Sequence, residues 1–138
     1  MIKTYKDLKG RVWDGPGIPK WIFRTGNVPI ENLHSEIAKL YTTQLENNPG
    51  YELFYFNGED RLQFIKDIND SDIETTYNKL IPVTYKVDLF KFAIVYTYGG
   101  ICMDFSMESL ISLDDIINGY KESLARDKDA PDGLCAGF

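Results

Sequence analysis

Val83-Thr84-Tyr85-Lys86-Val87-Asp88-Leu89-Phe90-Lys91-Phe92-Ala93-Ile94-Val95-Tyr96-Thr97-Tyr98, Gly99-Gly100, Ile101-Cys102-Met103-Asp104-Phe105-Ser106-Met107 runs a helix pattern, a glycine pair and a strand pattern together without a linker. Pro82 suits the position just before or at a helix start, where a missing N–H costs nothing. The sixteen residues that follow are apolar almost all round, which predicts a central helix buried on every side. Gly99-Gly100 supplies the left-handed residue that ends such a helix. From Ile101 to Met107 apolar and polar residues alternate, the period of a strand.

Upstream, the same alternation of element types recurs. Met1 to Gly17 reads as a polar lead-in punctuated by glycine and proline, and Ile18 to Arg24 as a short strand with Pro19 near its opening. Pro29 and Glu31 suit the first turn of a helix whose apolar stripe is Leu33, Ile37, Leu40, Tyr41 and Gln44/Leu45. Tyr51 to Phe56 is too short and too aromatic for a helix and reads as a second strand. Leu62, Ile65 and Ile68 mark the next helix. Ser71 and Glu74 form a capping-box pattern at the start of another, with Ile73, Tyr77 and Leu80 inward. Downstream, a polar helical stretch is expected from Leu113 to Ala125, then a loop over 127–133 and a curtailed strand over 134–138.

Strands alternating with helices predict an α/β fold with a mostly parallel sheet flanked by helices. Ligands in such folds sit beyond the carboxyl ends of the strands, here near Arg24 to Asn27, Asn57, and Asp104 to Glu108. A chain of 138 residues with 43% apolar content is read as one domain, 1–138. The net charge of −6 argues against nucleic acid as a partner, because phosphates would meet like charge. No stretch approaches the roughly 20 apolar residues of a transmembrane segment and the N-terminus lacks a signal-peptide block, so the expected location is cytoplasmic. Cys102 and Cys135 have no zinc or redox spacing and read as buried, reduced thiols.

In the predicted strand, alternation places Asp104, Ser106 and Glu108 on one face, successive side chains about 7 Å apart, near enough to reach one metal ion or one diphosphate. The helix before it carries Asp88 and Lys91 three residues apart and therefore on one side. Spacing leaves two roles open for that pair, sugar contact or a solvated stripe. His34, the lone histidine, reads as a surface residue, and with no second histidine or nucleophile motif a hydrolytic triad has no support. Asp114-Asp115 suit a helix start rather than a metal.

Five segments in register, Ile18 to Ile22, Asn48 to Leu53, Asp60 to Ile65, Val87 to Phe92 and Tyr98 to Asp104, resemble the DXD-motif glycosyltransferases, which include yeast initiating mannosyltransferases, capsular polysaccharide transferases and glucosylating clostridial toxins. The resemblance spans about Ile18 to Ile117. It implies a GT-A-like, Rossmann-type fold, a nucleoside-diphosphate sugar (UDP- or GDP-sugar) as donor, a glycan or protein acceptor, and Mn²⁺ or Mg²⁺ across the diphosphate. By the same resemblance Ile22, Phe23 and Arg24 line the donor pocket with Gly100. Asp88 and Lys91 contact the sugar, and Asp104 and Ser106 contact donor and metal, with Asp104 and Asp88 the catalytic carboxylates. Retention of configuration is implied by the relatives alone.

Three departures from the family pattern stand out. Ser106 occupies the place of the second motif Asp, and a hydroxyl is a poorer ligand for a hard cation than a carboxylate; Glu108 is the candidate to supply the charge, against the plainer reading of a solvated residue at the strand end. Lys91 replaces an Arg and loses its planar fork. The chain also stops at Phe138 where relatives continue, so the acceptor half is expected to be missing. These departures sustain an alternative, a non-catalytic nucleotide-sugar- or partner-binding module.

Overall fold

The computed structural model describes residues 1–117 and the backbone of residues 125–126 and 134–135. Two aromatic-rich segments form the middle of its main sheet. β2 (Trp21–Thr25) runs parallel to β3 (Glu52–Phe56), with Trp21 opposite Glu52 and Thr25 opposite Phe56. β1 (Ile2–Thr4) extends the sheet beyond β3 and β4 (Ile101–Cys102) beyond β2, giving the order β1-β3-β2-β4, every pair parallel. Sheets of this kind are covered on both faces, which is why the central strands are mostly apolar and aromatic, with Arg24, Thr25 and Glu52 their polar residues.

Period-2 alternation divides these strands between two cores. Trp21, Phe23, Phe54, Phe56 and Cys102 face α1 (Tyr5–Leu8), α3 (Gly58–Asp67), α4 (Ser71–Lys79) and α5 (Val83–Tyr98), meeting Leu8, Phe64, Tyr77, Phe90 and Ile94. Ile22, Leu53, Tyr55, Ile101 and Met103 face α2 (Ser35–Glu46) and α6 (Leu113–Ile117), meeting Tyr41, Leu113 and Ile117. The α/β class with a parallel sheet between helices is therefore as expected. Among the described residues no helix is long and apolar enough to cross a membrane.

Several boundaries differ from the sequence reading. The lead-in contains β1 and α1, and the strand expected from Ile18 begins at Trp21. The helix expected from Pro29 is split: a 3-10 turn spans Ile30–Asn32, Leu33 is extended, and α2 begins at Ser35, where His34 Nδ1 accepts from the Glu36 amide at 3.3 Å. At α4 the cap is Asp70, one residue before the predicted Ser71, its carboxylate accepting from the amides of Asp72 and Ile73. A carboxylate there meets two orphan N–H groups with full charge, which a serine hydroxyl does not match. Of the helix expected from Leu113 to Ala125, α6 is present over Leu113–Ile117, residues 118–124 lie outside the described residues, and the expected end at Ala125 is instead in β5 (Ala125–Arg126), paired antiparallel with β6 (Leu134–Cys135). The predicted loop over 127–133 and the end of the predicted strand at 136–138 lie outside the described residues.

Two corrections bear on the site. α5 is buried on one side only, through Phe90, Lys91, Ala93 and Ile94, while Phe92 and Tyr96 are 66% and 90% exposed. It is an outer layer on the sheet, not a central helix; near-uniform apolarity carries no directional information. Second, the strand after Gly100 ends at Cys102. Met103 N–H still reaches Phe23 O at 3.1 Å, and the chain then turns, with Met107 N–H donating to Asp104 O at 3.1 Å. Asp104, Ser106 and Glu108 thus do not share a strand face.

At the opposite, amino end of the sheet, Glu52 gathers Lys3, both outer nitrogens of Arg11 (2.7 and 3.0 Å) and the Trp21 indole N–H (3.2 Å). The Arg11 fork, with Lys3 behind it, outweighs burial and holds the carboxyl at about 2. A depressed carboxyl stabilises the fold above its unfolded pKa near 4.5, and that contribution is lost as pH falls toward about 2. Glu52→Gln is therefore expected to cost about 2 kcal/mol at pH 7 and progressively less between pH 4.5 and pH 2. Urea titrations of both proteins across that range check it; a pH-independent difference would refute the charge argument.

Candidate functional site

The parallel register brings the carboxyl ends of β2 and β4 side by side, and the amino-terminal half of α5 passes beside them. Between these three elements lies an open cavity of about 680 Å³. Its walls are the loop Thr25–Val28 after β2, the α5 residues from Val83 through Lys91, and the motif turn Asp104–Ser106. A cleft of this size is ample for a small ligand, and its place at the strand ends is the one the topology favours.

Charge on the cavity wall centres on Lys91. Its ammonium donates to Asp104 Oδ1 and stands 3.6 Å from Asp88 Oδ1. Burial works to lower the Lys91 pKa, but the hydrogen bond and charge of Asp104, with Asp88 behind, outweigh it and hold the ammonium above its ordinary value. Both carboxylates keep an open side: the Asp104 side chain is 49% exposed and that of Asp88 40%. Asp88, Lys91, Asp104 and Ser106, drawn from two elements, thus converge on one cleft, with Asp104 facing it while engaged to Lys91.

Other residues singled out from the sequence lie elsewhere. Ile22, Phe23 and Arg24 are fully buried within the sheet and do not line the cavity. Gly100 is also outside the lining; a Cβ there would point at the Trp21 carbonyl and the Phe23 ring. Glu108 is exposed beyond the turn and off the cavity wall, because the strand that would have aligned it ends six residues earlier. His34 caps α2 on the surface. Asp114 opens α6 and accepts from Lys20 (3.1 Å) and Tyr51 (2.8 Å). Cys102 is a buried free thiol pushed up to about 12 by burial, hence unreactive; the Cys135 side chain lies outside the described residues.

The cavity walls are fixed by groups that sequence reading did not identify. On one side, Gly26 N–H bonds Phe56 O (3.1 Å), Tyr55 OH bonds Val28 O (2.8 Å), and Arg61, buried in α3, donates to Thr25 Oγ1 (2.5 Å) and Gly26 O (2.9 Å). On the other, Tyr41, Gln44 and Asn48 reach from α2 and its end to hold the chain after the motif. Tyr41 OH donates to Phe105 O (2.7 Å), Gln44 Nε2 to Ser109 Oγ (2.8 Å), and Asn48 Oδ1 accepts from Leu113 N–H (2.7 Å). The available signal was positional: hydrogen-bonding groups at i, i+3 and i+7 within an otherwise apolar stripe. Walls fixed in this way offer preformed geometry to a ligand.

Among known families, the one described as "Glycosyltransferase sugar-binding region containing DXD motif" matches residues 34–123, about two thirds of the chain. The match takes in α2, β3, α5 and the motif turn and leaves out β2. No curated protein and no solved structure matches the chain.

Proposed function

Since the chain belongs to the glycosyltransferases with a DXD-motif sugar-binding region, we propose that it binds a nucleoside-diphosphate sugar in the cavity between β2, β4 and α5 and transfers the sugar to a glycan or protein acceptor. The convergence of Asp88, Lys91, Asp104 and Ser106 on that one cavity is the observation that carries the reading. In it, residues 1–138 act as one nucleotide-sugar-binding domain. Lys91 offers its ammonium to an anionic or hydroxyl group of the donor, and Asp88 and Asp104 hold that ammonium in place. Each carboxylate also keeps exposed surface with which to accept from sugar hydroxyls.

A divalent cation, Mn²⁺ or Mg²⁺, belongs to the same proposal. Among the described residues no three His, Cys, Asp or Glu side chains converge as an all-protein cage. Asp104 and Ser106 offer one carboxylate and one hydroxyl on the same wall, which fits a Mg²⁺-type ion whose remaining ligands are phosphate oxygens and water. Such an ion would neutralise charge on the departing diphosphate. Calorimetry with UDP-glucose and GDP-mannose, each with and without Mn²⁺, tests the reading. Binding of at least one donor, tightened by Mn²⁺, is expected; no binding of either in any condition rejects it.

The second reading, a non-catalytic module on the same fold, is favoured by Ser106 at the motif's second acidic position. It predicts metal-independent nucleotide binding without release of free nucleoside diphosphate.

A further inference from the structure

Arg24 poses a physical problem that its neighbours do not solve. It is 0% exposed, and among the described residues no carboxylate lies within salt-bridge distance. Nη1 donates to the main-chain carbonyl of Asp104, and the guanidinium lies over the Tyr41 ring, 5.0 Å from its centroid. Nε and Nη2 find no protein hydrogen-bond partner among the described residues. Burying a cation with two donors unmet is costly, and an apolar side chain of similar length would fill the space more cheaply. A native structure that keeps such a group needs a reason outside stability.

The contacts supply one. Arg24 holds the carbonyl of Asp104, and Tyr41, on which Arg24 rests, holds the next carbonyl, that of Phe105. Both grip the motif turn from the face of the sheet opposite α5, while the Asp104 side chain emerges on the α5 side to meet Lys91. We propose that Arg24 is a positioning residue: through the Asp104 carbonyl it sets the motif turn so that the Asp104 carboxylate is delivered to the cavity. This rests on the donor-binding reading above and replaces the direct donor contact that the sequence suggested for Arg24. Buried but not catalytic, the group acts on geometry, where a displacement of about 1 Å costs up to roughly a hundredfold in rate.

The test is Arg24→Met, which keeps the side-chain volume and removes charge and donors. Three quantities are read: thermal midpoint, kcat/KM for release of nucleoside diphosphate from UDP-glucose or GDP-mannose with Mn²⁺, and hydrogen exchange at the Met107 amide, which closes the turn on Asp104 O. The expected result is a midpoint equal to or above wild type, a 10- to 100-fold fall in kcat/KM, and exchange at Met107 about tenfold faster with Phe54 unchanged. Unchanged turnover and exchange in a folded variant would overturn the proposal while leaving the function intact. A wild-type protein that turns over neither donor removes the functional reading, and exchange at Met107 then decides the role of Arg24 alone. Should Arg24→Met not fold, Tyr41→Phe decides: it keeps the ring, removes only the bond to Phe105 O, and is expected to lower kcat/KM about three- to tenfold, with no change counting against the proposal.

Discussion

Asp104→Asn is expected to leave the fold intact and to lower release of nucleoside diphosphate about 100- to 1,000-fold, the loss typical when one preorganised electrostatic partner of a transition state is removed. The substitution is nearly isosteric. An Asn oxygen can still accept from the Lys91 ammonium, and the main-chain carbonyl remains in the grip of Arg24, so the turn has no reason to move. The full negative charge is what disappears, and with it the carboxylate proposed to hold a divalent cation. Lys91 then loses the nearer of the two carboxylates beside it while Asp88 stays 3.6 Å away, and its ammonium falls back toward its ordinary pKa, because burial is opposed by less negative charge. Steady-state assays with UDP-glucose and GDP-mannose measure the effect, with circular dichroism melts run alongside. A variant retaining more than about a third of wild-type turnover would place the chemistry elsewhere. Ser106→Ala gives the internal comparison: a hydroxyl is a weak ligand for a hard cation, so a loss of only a few-fold is expected.

The contrast between those two positions also shows where sequence reading succeeds and where it stops. Helix spacing put Asp88 and Lys91 on one side of a helix and the glycine pair put Asp104 just after it, while only the family resemblance gave the three a joint role; the structure brings all three to one cavity. Glu108 was placed by extending a period of two beyond Cys102, and the chain turns there instead. Alternation of apolar and polar residues says that a strand would be half-buried; it does not say that a neighbouring strand exists to pair with. Among the described residues β4 has only β2 beside it, and α2 draws Phe105, Ser109 and Leu113 away through Tyr41, Gln44 and Asn48, tertiary bonds with no local signature. β1 was missed for a related reason. Three residues, Ile2 to Thr4, are too few to show a period, and only pairing with Leu53 to Tyr55 makes them a strand. Arg24 is the sharpest case: its place on a strand was read correctly, but a charged residue on a buried face is ambiguous until its partners, or their absence, are seen.

The largest stability effect is expected at Gly100, where alanine should cost about 4 kcal/mol, the range reached when backbone strain and overpacking combine. Gly100 has φ of +88°, a conformation that L-residues adopt only with strain. A Cβ there would also stand 2.8 Å from the Trp21 carbonyl oxygen and 2.8 Å from the Phe23 ring. Neither can withdraw: Trp21 O belongs to the backbone of β2, and Phe23 is fully buried between the sheet and its helices. Gly10 and Gly17 separate the two causes, since each has positive φ, +80° and +69°, with nothing within 4 Å of a built Cβ. Alanine at either pays for conformation alone, about 1 kcal/mol. Against a domain stability of about 5–15 kcal/mol, Gly100→Ala approaches the threshold of folding whereas Gly10→Ala and Gly17→Ala do not. Urea denaturation of the three variants at equal concentration measures the difference. A Gly100→Ala midpoint matching that of Gly17→Ala would mean that β4 can move off β2, and that the close strand contact bringing Asp104 to the end of β2 is not what the glycine protects.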